Sequence, residues 1–371
     1  MRIILGVMGI ALTAIGLFLP PIQALLPKLS PYPYYRQLLV RRSFYATGAL
    51  FVFVSALYGL YLSTWITLVI TAALILIGEL LLVPRKVIPP LDQPFSRIIK
   101  PDDFPENAVV VGIELEGRSR AYPLSILTPH HIVNDSLGET PVAATYCPAC
   151  RSGYIYSPLV RGMRLTFEPV SVRRRNMVMR DRETGSVWQH ETGICLMGKF
   201  KGEQLRILDS GMCNWRTWVH EHPGTTICLR PENYRHPSPL GRIFGKLLDR
   251  GPEHIVGPGL NGLDRRLGQH DFIVGVIVAG IPKAYPLGKL IEKGMITDNI
   301  GGVPVALVYE EKADRVRAFK KPGKGRQALQ EPGNGSENWF AGKPEQGESI
   351  PVVRQWWLAW SEYHPGSELF D

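Results

Sequence analysis

The chain has 371 residues, 45% of them hydrophobic, with 31 prolines, 37 glycines and 42 basic against 33 acidic side chains. That composition excludes a disordered or collagen-like chain and leaves room for more than one core. Seven Lys/Arg and a single acid, Glu79, precede residue 87, so most of the +9 net charge sits beside apolar segments. The expected partner is a bilayer with anionic headgroups; nucleic acid, which needs a basic face on the folded domain itself, is not expected.

Three apolar stretches open the chain, at 3–26, 44–62 and 65–83, each near the roughly 20 residues that cross hydrocarbon as a helix. The first follows Arg2 as a signal peptide would, but Ile22-Gln23-Ala24 is a poor cleavage site, so a retained anchor over 1–86 is expected. Only Ser63 and Thr64 separate the second stretch from the third, which demands a tight hairpin, with Glu79 shielded, protonated or near an end. Lys28, Arg36, Arg41, Arg42, Arg85 and Lys86 share one side of such an anchor against Arg2 on the other. This asymmetry places the large domain in the cytoplasm, on an integral protein of a prokaryotic inner membrane.

Beyond the anchor the sequence repeats itself at an offset of 163 residues, with 14 identities in 36 ungapped positions from 111 to 146. Val111-Gly112 returns as Val274-Gly275, Ala121-Tyr122-Pro123-Leu124 as Ala284-Tyr285-Pro286-Leu287, and Asp135 as Asp298. At an offset of 142, Trp215, Trp218, His222 and Pro223 return as Trp357, Trp360, His364 and Pro365. The expected fold is α+β and mainly β. Two duplicated β-rich lobes, 87–230 and 255–371, are joined by a linker at 231–254 and related by a pseudo-twofold axis. In each lobe a β-branched strand enters a hairpin at Glu116-Gly117 or Ala279-Gly280, a short helical turn follows, and a continuously apolar strand sits centrally. Trp215-x-x-Trp218 has helical spacing before a His-Pro-Gly stop, and Asn134-Asp135 and 181–186 read as turns.

Residues common to both copies read as scaffold, so chemistry kept in one copy stands out. Cys147 aligns with Glu310, Cys150 with Ala313, His130 with Lys293 and His131 with Gly294. In Cys147-Pro148-Ala149-Cys150 the proline suits the first position of a helix, which puts Cys147 at a positive helix end where its thiolate is favoured, with Arg151 adding charge. Cys147 then attacks, Cys150 resolves, and His130 or His190 shuttles a proton to an unspecified redox partner or small substrate. A competing reading gives zinc or copper to Cys147, Cys150, His130 and His131. A third makes the cysteines structural, in a membrane interaction module without catalysis. Cys195, Cys213 and Cys228 stand singly in apolar settings as inert thiols, and Arg173-Arg174-Arg175 reads as a solvated basic strand end. No Walker loop, dinucleotide fingerprint, nucleophile elbow or His-Glu-x-x-His motif occurs.

Several ordered motifs carry a resemblance. Ala121-Tyr122-Pro123-Leu124, His130-x-Ile132-Val133-Asn134-Asp135, Thr145-Tyr146-Cys147-Pro148-x-Cys150, Asp181-x-x-Thr184-x-Ser186-x-Trp188 and Trp215-x-x-Trp218-x-x-x-His222-Pro223 together resemble the family termed domain of unknown function 3179, over about residues 90 to 371. The resemblance implies a thiol motif at Cys147 and Cys150, and the family's selenoprotein members imply redox chemistry at a reactive chalcogen. This chain departs from the family pattern at His131, where Glu is usual, and at His190, where Gln is usual. Both departures add imidazole near the expected site and favour a metal more than the family pattern does.

Overall fold

A computed structural model describes residues 1–25, 34–59, 61–81, 84–173, 176–231, 234, 264–320 and 347–371. The expected linker, apart from Pro231 and Tyr234, lies outside these residues, as do Arg174 and Arg175.

Helices α1 (Arg2–Leu25), α2 (Tyr34–Leu57) and α3 (Leu62–Leu81) form the N-terminal part. α1 and α2 approach through glycine: a Cβ built on Gly9 would lie 2.7 Å from the Gly48 carbonyl oxygen, and the converse contact is equally close. Glu79 is accommodated by Arg41, whose Nη2 donates to Glu79 Oε1 at 2.9 Å while its Nε donates to the Tyr45 hydroxyl. Of the three expected spans, Leu62–Glu79 is long and apolar enough to cross a membrane, and Ile3–Phe18 is a shorter apolar helix. The middle stretch is absorbed into a helix that starts at Tyr34 and so carries Arg36, Arg41 and Arg42. The turn expected at Ser63 and Thr64 lies further upstream, between Leu57 and Leu62. Thr64 donates from its backbone to Tyr61 and from its hydroxyl to Gly59, so both residues belong to the first turn of α3.

The remainder is mainly β: five sheets of four or five strands and one two-stranded ribbon among the described residues. Val109–Leu115 pairs with Arg118–Pro123 across Glu116 and Gly117, whose φ angles of 53° and 71° are those of a two-residue turn that matches strand twist. The helix Leu124–His130 and the strands Ile132–Leu137, Thr140–Cys147 and Ser152–Ser157 follow. The same six elements return 163 residues later as Phe272–Val278, Ile281–Pro286, Leu287–Lys293, Met295–Ile300, Val303–Glu310 and Arg315–Lys320. Register and contacts return with them. Val111 faces Tyr122 and Val274 faces Tyr285; the Tyr122 hydroxyl donates to Asp135 at 2.8 Å and the Tyr285 hydroxyl to Asp298 at 2.7 Å.

Asn134 and Asp135, expected in a turn, lie inside the strand Ile132–Leu137. Their polar groups are consumed by tertiary contacts: Asp135 accepts from Arg120 and Tyr122, and the Asn134 amide pairs in both directions with the Phe167 backbone. The 181–186 turn forms as expected, with Asp181 accepting from Thr184 and from the Trp188 indole. The tryptophan pairs lie on the helices Trp215–Glu221 and Trp357–Tyr363. Trp218 bonds Thr225 Oγ1 at 3.2 Å, and Trp360 bonds Ser367 Oγ at 2.7 Å.

One sheet has no counterpart among the described residues of the second half: Phe167–Arg173, Asn176–Asp181, Val187–Gln189 and Cys195–Met197. α1, α2 and the short helix Pro84–Val87 pack on its first strand, and Arg85 reaches Glu168 at 3.5 Å. Its inner strands cover the end of Thr140–Cys147. The other wall is supplied by the second half, where Val353–Trp356 runs against Ser152–Ser157.

Candidate functional site

Thr140–Cys147 is the middle strand of its sheet and ends at Cys147, which pairs directly with Ser152 on the returning strand. Four residues between antiparallel partners cannot make a helix, so the expected helix after Cys147 is absent. Pro148 instead takes the second position of a tight turn, which its fixed φ also suits. The Cys150 N–H donates to the Cys147 carbonyl at 3.1 Å, and Arg151 closes the turn with φ 59°. The second half makes the same turn with Asp314 at φ 46°, but Glu310 and Ala313 stand where the cysteines are. The turn is common scaffold and the thiols are the local addition.

The two sulfurs face each other at 3.5 Å and are unbonded; Cys147 is 3% exposed and Cys150 not at all. The Cys147 thiol is held below its ordinary pKa, chiefly by the hydrogen bond from Cys150 and further by backbone bonds from Met177 and Cys150. Burial, then the neighbouring sulfur, drive Cys150 the other way. Of the two thiols, Cys147 is therefore the more acidic and Cys150 the less. No helix begins at Cys147. The Arg151 guanidinium lies 5.7 Å from the centre of the Trp356 ring and bonds the Tyr146 hydroxyl.

Asn176 organises the polar surroundings. Its oxygen accepts from Gln189 Nε2 at 2.7 Å and from the Glu191 backbone at 3.1 Å, which turns its NH2 toward the site. That nitrogen lies 3.3 Å from Cys150 Sγ, 3.1 Å from Glu191 Oε2 and 3.5 Å from His190 Nδ1. With Nδ1 facing a donor, His190 carries its proton on Nε2 and gives it to Thr145 Oγ1 at 3.1 Å, whose hydroxyl continues to the Tyr154 carbonyl. Burial pushes the His190 pKa down to about 3, so it is a neutral imidazole at physiological pH rather than an acid. The structure thus brings His190 to the thiols, in a fixed hydrogen-bonding role.

His130 is elsewhere. Its Nδ1 lies 2.7 Å from the Pro89 carbonyl and its Nε2 accepts from Arg230 at 2.9 Å, so both ring nitrogens are engaged. His131 is buried with φ 60° where the second half has Gly294, and its Nδ1 has no hydrogen-bond partner among the described residues. Burial holds its pKa near about 4. Among the described residues no three of His, Cys, Asp and Glu are placed to hold a metal, so Cys147, Cys150, His130 and His131 do not form the expected tetrahedron. Cys195, Cys213 and Cys228 are buried, with pKa values raised by burial.

Sequence reasoning missed Asn176, Tyr154, Glu191 and Gln355. Glu191 is 2% exposed; its Oε1 accepts from the Tyr154 hydroxyl at 2.9 Å and from Gln355 Nε2, the latter from the second half. The only signal available was an acid directly after His190. The second half also closes the thiol turn itself, through the Trp356 N–H on the Cys150 carbonyl at 3.0 Å.

Fold and site together define a mainly β protein that buries an unbonded thiol pair. The chain belongs to the family described as Protein of unknown function (DUF3179), which matches residues 85–367. No curated protein and no solved structure matches it.

Proposed function

We propose that the chain is a membrane-tethered thiol oxidoreductase that exchanges electrons with small disulfides and thiols. The observation that carries this reading is the 3.5 Å contact between the Cys147 and Cys150 sulfurs. A thiolate is the attacking species in disulfide exchange, and a second thiol in contact resolves the intermediate faster than a free thiol can. The Cys147 thiolate attacks one sulfur of a substrate disulfide; that S–S bond breaks, and the first substrate thiolate leaves and takes up a proton. Cys150 then gives up its proton and attacks Cys147 Sγ. The mixed disulfide breaks, the second substrate thiol departs, and two electrons have passed from the pair to the substrate. Cys147 exposes too little surface for a folded partner to reach it, which favours a small reactant.

In this reading the repeated elements are two lobes, 87–230 and 255–371, derived by duplication and packed about a pseudo-twofold axis. The three N-terminal helices hold them to a bilayer on its cytoplasmic side, where thiols are kept reduced. The test is alkylation mapping by mass spectrometry after treatment with dithiodipyridine and then with dithiothreitol. A reversible 147–150 disulfide is expected; two thiols that never pair overturn the mechanism. Zinc or copper in stoichiometric amount on the same sample, lost on Cys147→Ser, replaces it with metal binding.

A further inference from the structure

Glu191 is a buried carboxyl that the exchange steps above do not use. Its surroundings are unusual for an acid. No lysine or arginine bonds it among the described residues; its donors are the neutral groups of Tyr154, Asn176 and Gln355. The groups facing it can be followed element by element. On its own segment is His190; from the strand Ser152–Ser157 come Ser152, Tyr154 and Tyr156; from the turn come Cys147 and Cys150; from the second half come Gln355, Tyr363 and His364, whose Nε2 is 4.0 Å from Oε1. Burial keeps His364 neutral, with a pKa near about 4. The pocket therefore contains two acidic systems, the thiol pair and the carboxyl, joined through one amide. Two adjacent like charges are costly in a buried site.

We infer that Glu191 is the charge-balancing partner of the thiol pair: the pocket holds one negative charge, on Glu191 when the cysteines are oxidised and on Cys147 when they are reduced. This rests on the exchange reading above and adds a proton to it. Reduction by a dithiol breaks the Cys147–Cys150 bond, oxidises the dithiol to its disulfide, and delivers two protons. One goes to Cys150 and the other to the Glu191 carboxylate, leaving the Cys147 thiolate. Charge is conserved at minus one on both sides. Asn176 spans the two systems, with Cys150 Sγ and Glu191 Oε2 both within 3.3 Å of its nitrogen. The Glu191 carboxyl is pushed up to about 7 by burial, against the pull of its donors, so it titrates where such a swap is needed. Glu191 is a positioning residue here: it sets the charge on the reacting sulfur without touching the substrate.

The experiment is a thiolate titration of the reduced full chain in detergent, read by ultraviolet absorbance and by alkylation rate against pH. Glu191→Gln removes the competing charge, and the Cys147 midpoint is expected to fall by about one pH unit. Tyr154→Phe keeps the carboxyl but removes a donor to its charged form, so Glu191 holds its proton longer and the midpoint falls by a smaller amount. Because the two variants alter different side chains, misfolding of one leaves the other to decide. Midpoints equal to wild type in the folded variants overturn the assignment, because a merely structural Glu191 does not move the sulfur titration. In the wild type, redox-difference infrared spectra are expected to show a carboxyl band that is lost in Glu191→Gln. The titration needs no oxidant: a shifted midpoint without a reversible disulfide overturns only the exchange reading, and a disulfide with an unshifted midpoint overturns only the role of Glu191.

Discussion

The indole of Trp218 occupies the space that a Cβ on Gly112 would need, and Trp360 bears the same relation to Gly275. Glycine is required at both places by close approach, not by backbone conformation. Each strand is thereby clamped beneath its own short helix, with the indole N–H satisfied by Thr225 or Ser367. Gly112→Ala and Gly275→Ala should each destabilise the protein by about 1–3 kcal/mol through overpacking. The two sites share no partner, so the double variant should show the sum. Urea unfolding midpoints check both statements.

The two cysteines should behave differently when removed singly. Cys150→Ser keeps the attacking sulfur and loses the resolving one, so it should accumulate a mixed disulfide at Cys147 with dithiodipyridine. Cys147→Ser should form no adduct at the remaining position, because Cys150 is fully buried and its thiol is held protonated. Intact-mass analysis after quenching distinguishes the two; equal labelling of both variants contradicts the assignment of roles.

Stability should fall on acidification. His131, His190 and His364 have native pKa values near about 4, 3 and 4, set by burial, against 6.5 when unfolded. Below pH 6.5 the unfolded chain therefore binds up to three protons that the native chain refuses, and their contribution is lost as the pH falls toward the native values. Glu191 works the other way: with a native pKa raised to about 7, the native chain holds one proton more than the unfolded chain between pH 4.5 and 7. The net is about two protons, or about 3 kcal/mol of stability per pH unit between 6 and 5. Melting temperature against pH gives the slope, and His190→Asn should reduce it by about one proton.

Arg315 joins the two repeated regions. It is buried, bonds both oxygens of Glu221 at 2.7 Å, and also pairs with Glu310, the counterpart of Cys147. Arg315→Met leaves Glu221 and Glu310 with only the longer contacts to Arg317, at 3.6 and 3.4 Å, and should cost about 3 kcal/mol. Glu310→Gln in that background should recover part of the loss, because one of the stranded charges is gone. Denaturant unfolding of the two variants tests the order.

The mainly β class was legible in the sequence. The sequence pattern placed the hairpin strands, the short helix and the apolar strand Thr140–Cys147 with their counterparts at the offset of 163, and hairpin turns such as Glu116-Gly117 announced themselves through glycine; the strands Ile132–Leu137 and Ser152–Ser157 were not anticipated. What failed were inferences from local pattern where tertiary contacts decide. Pro148 is equally suited to a helix start and to a turn, and only the pairing of Cys147 with Ser152 selects the turn. Asn134-Asp135 looks like a turn until Arg120, Tyr122 and the Phe167 backbone claim its side chains. The thiols were legible as residues present in one copy only. The amides and carboxyl beside them were not: Asn176 and Gln355 come from distant strands, and no spacing along the chain brings the first to Cys150 or the second to Glu191.

Trp356 reaches the sulfur turn, and Gln355 the neighbouring Glu191, from far along the sequence. A polypeptide cut short before them, by a premature stop or by proteolysis, keeps both cysteines yet loses one wall of their enclosure. The Cys-Pro-Ala-Cys signature alone therefore does not mark an enclosed thiol pair unless the reading frame also carries the strand Val353–Trp356.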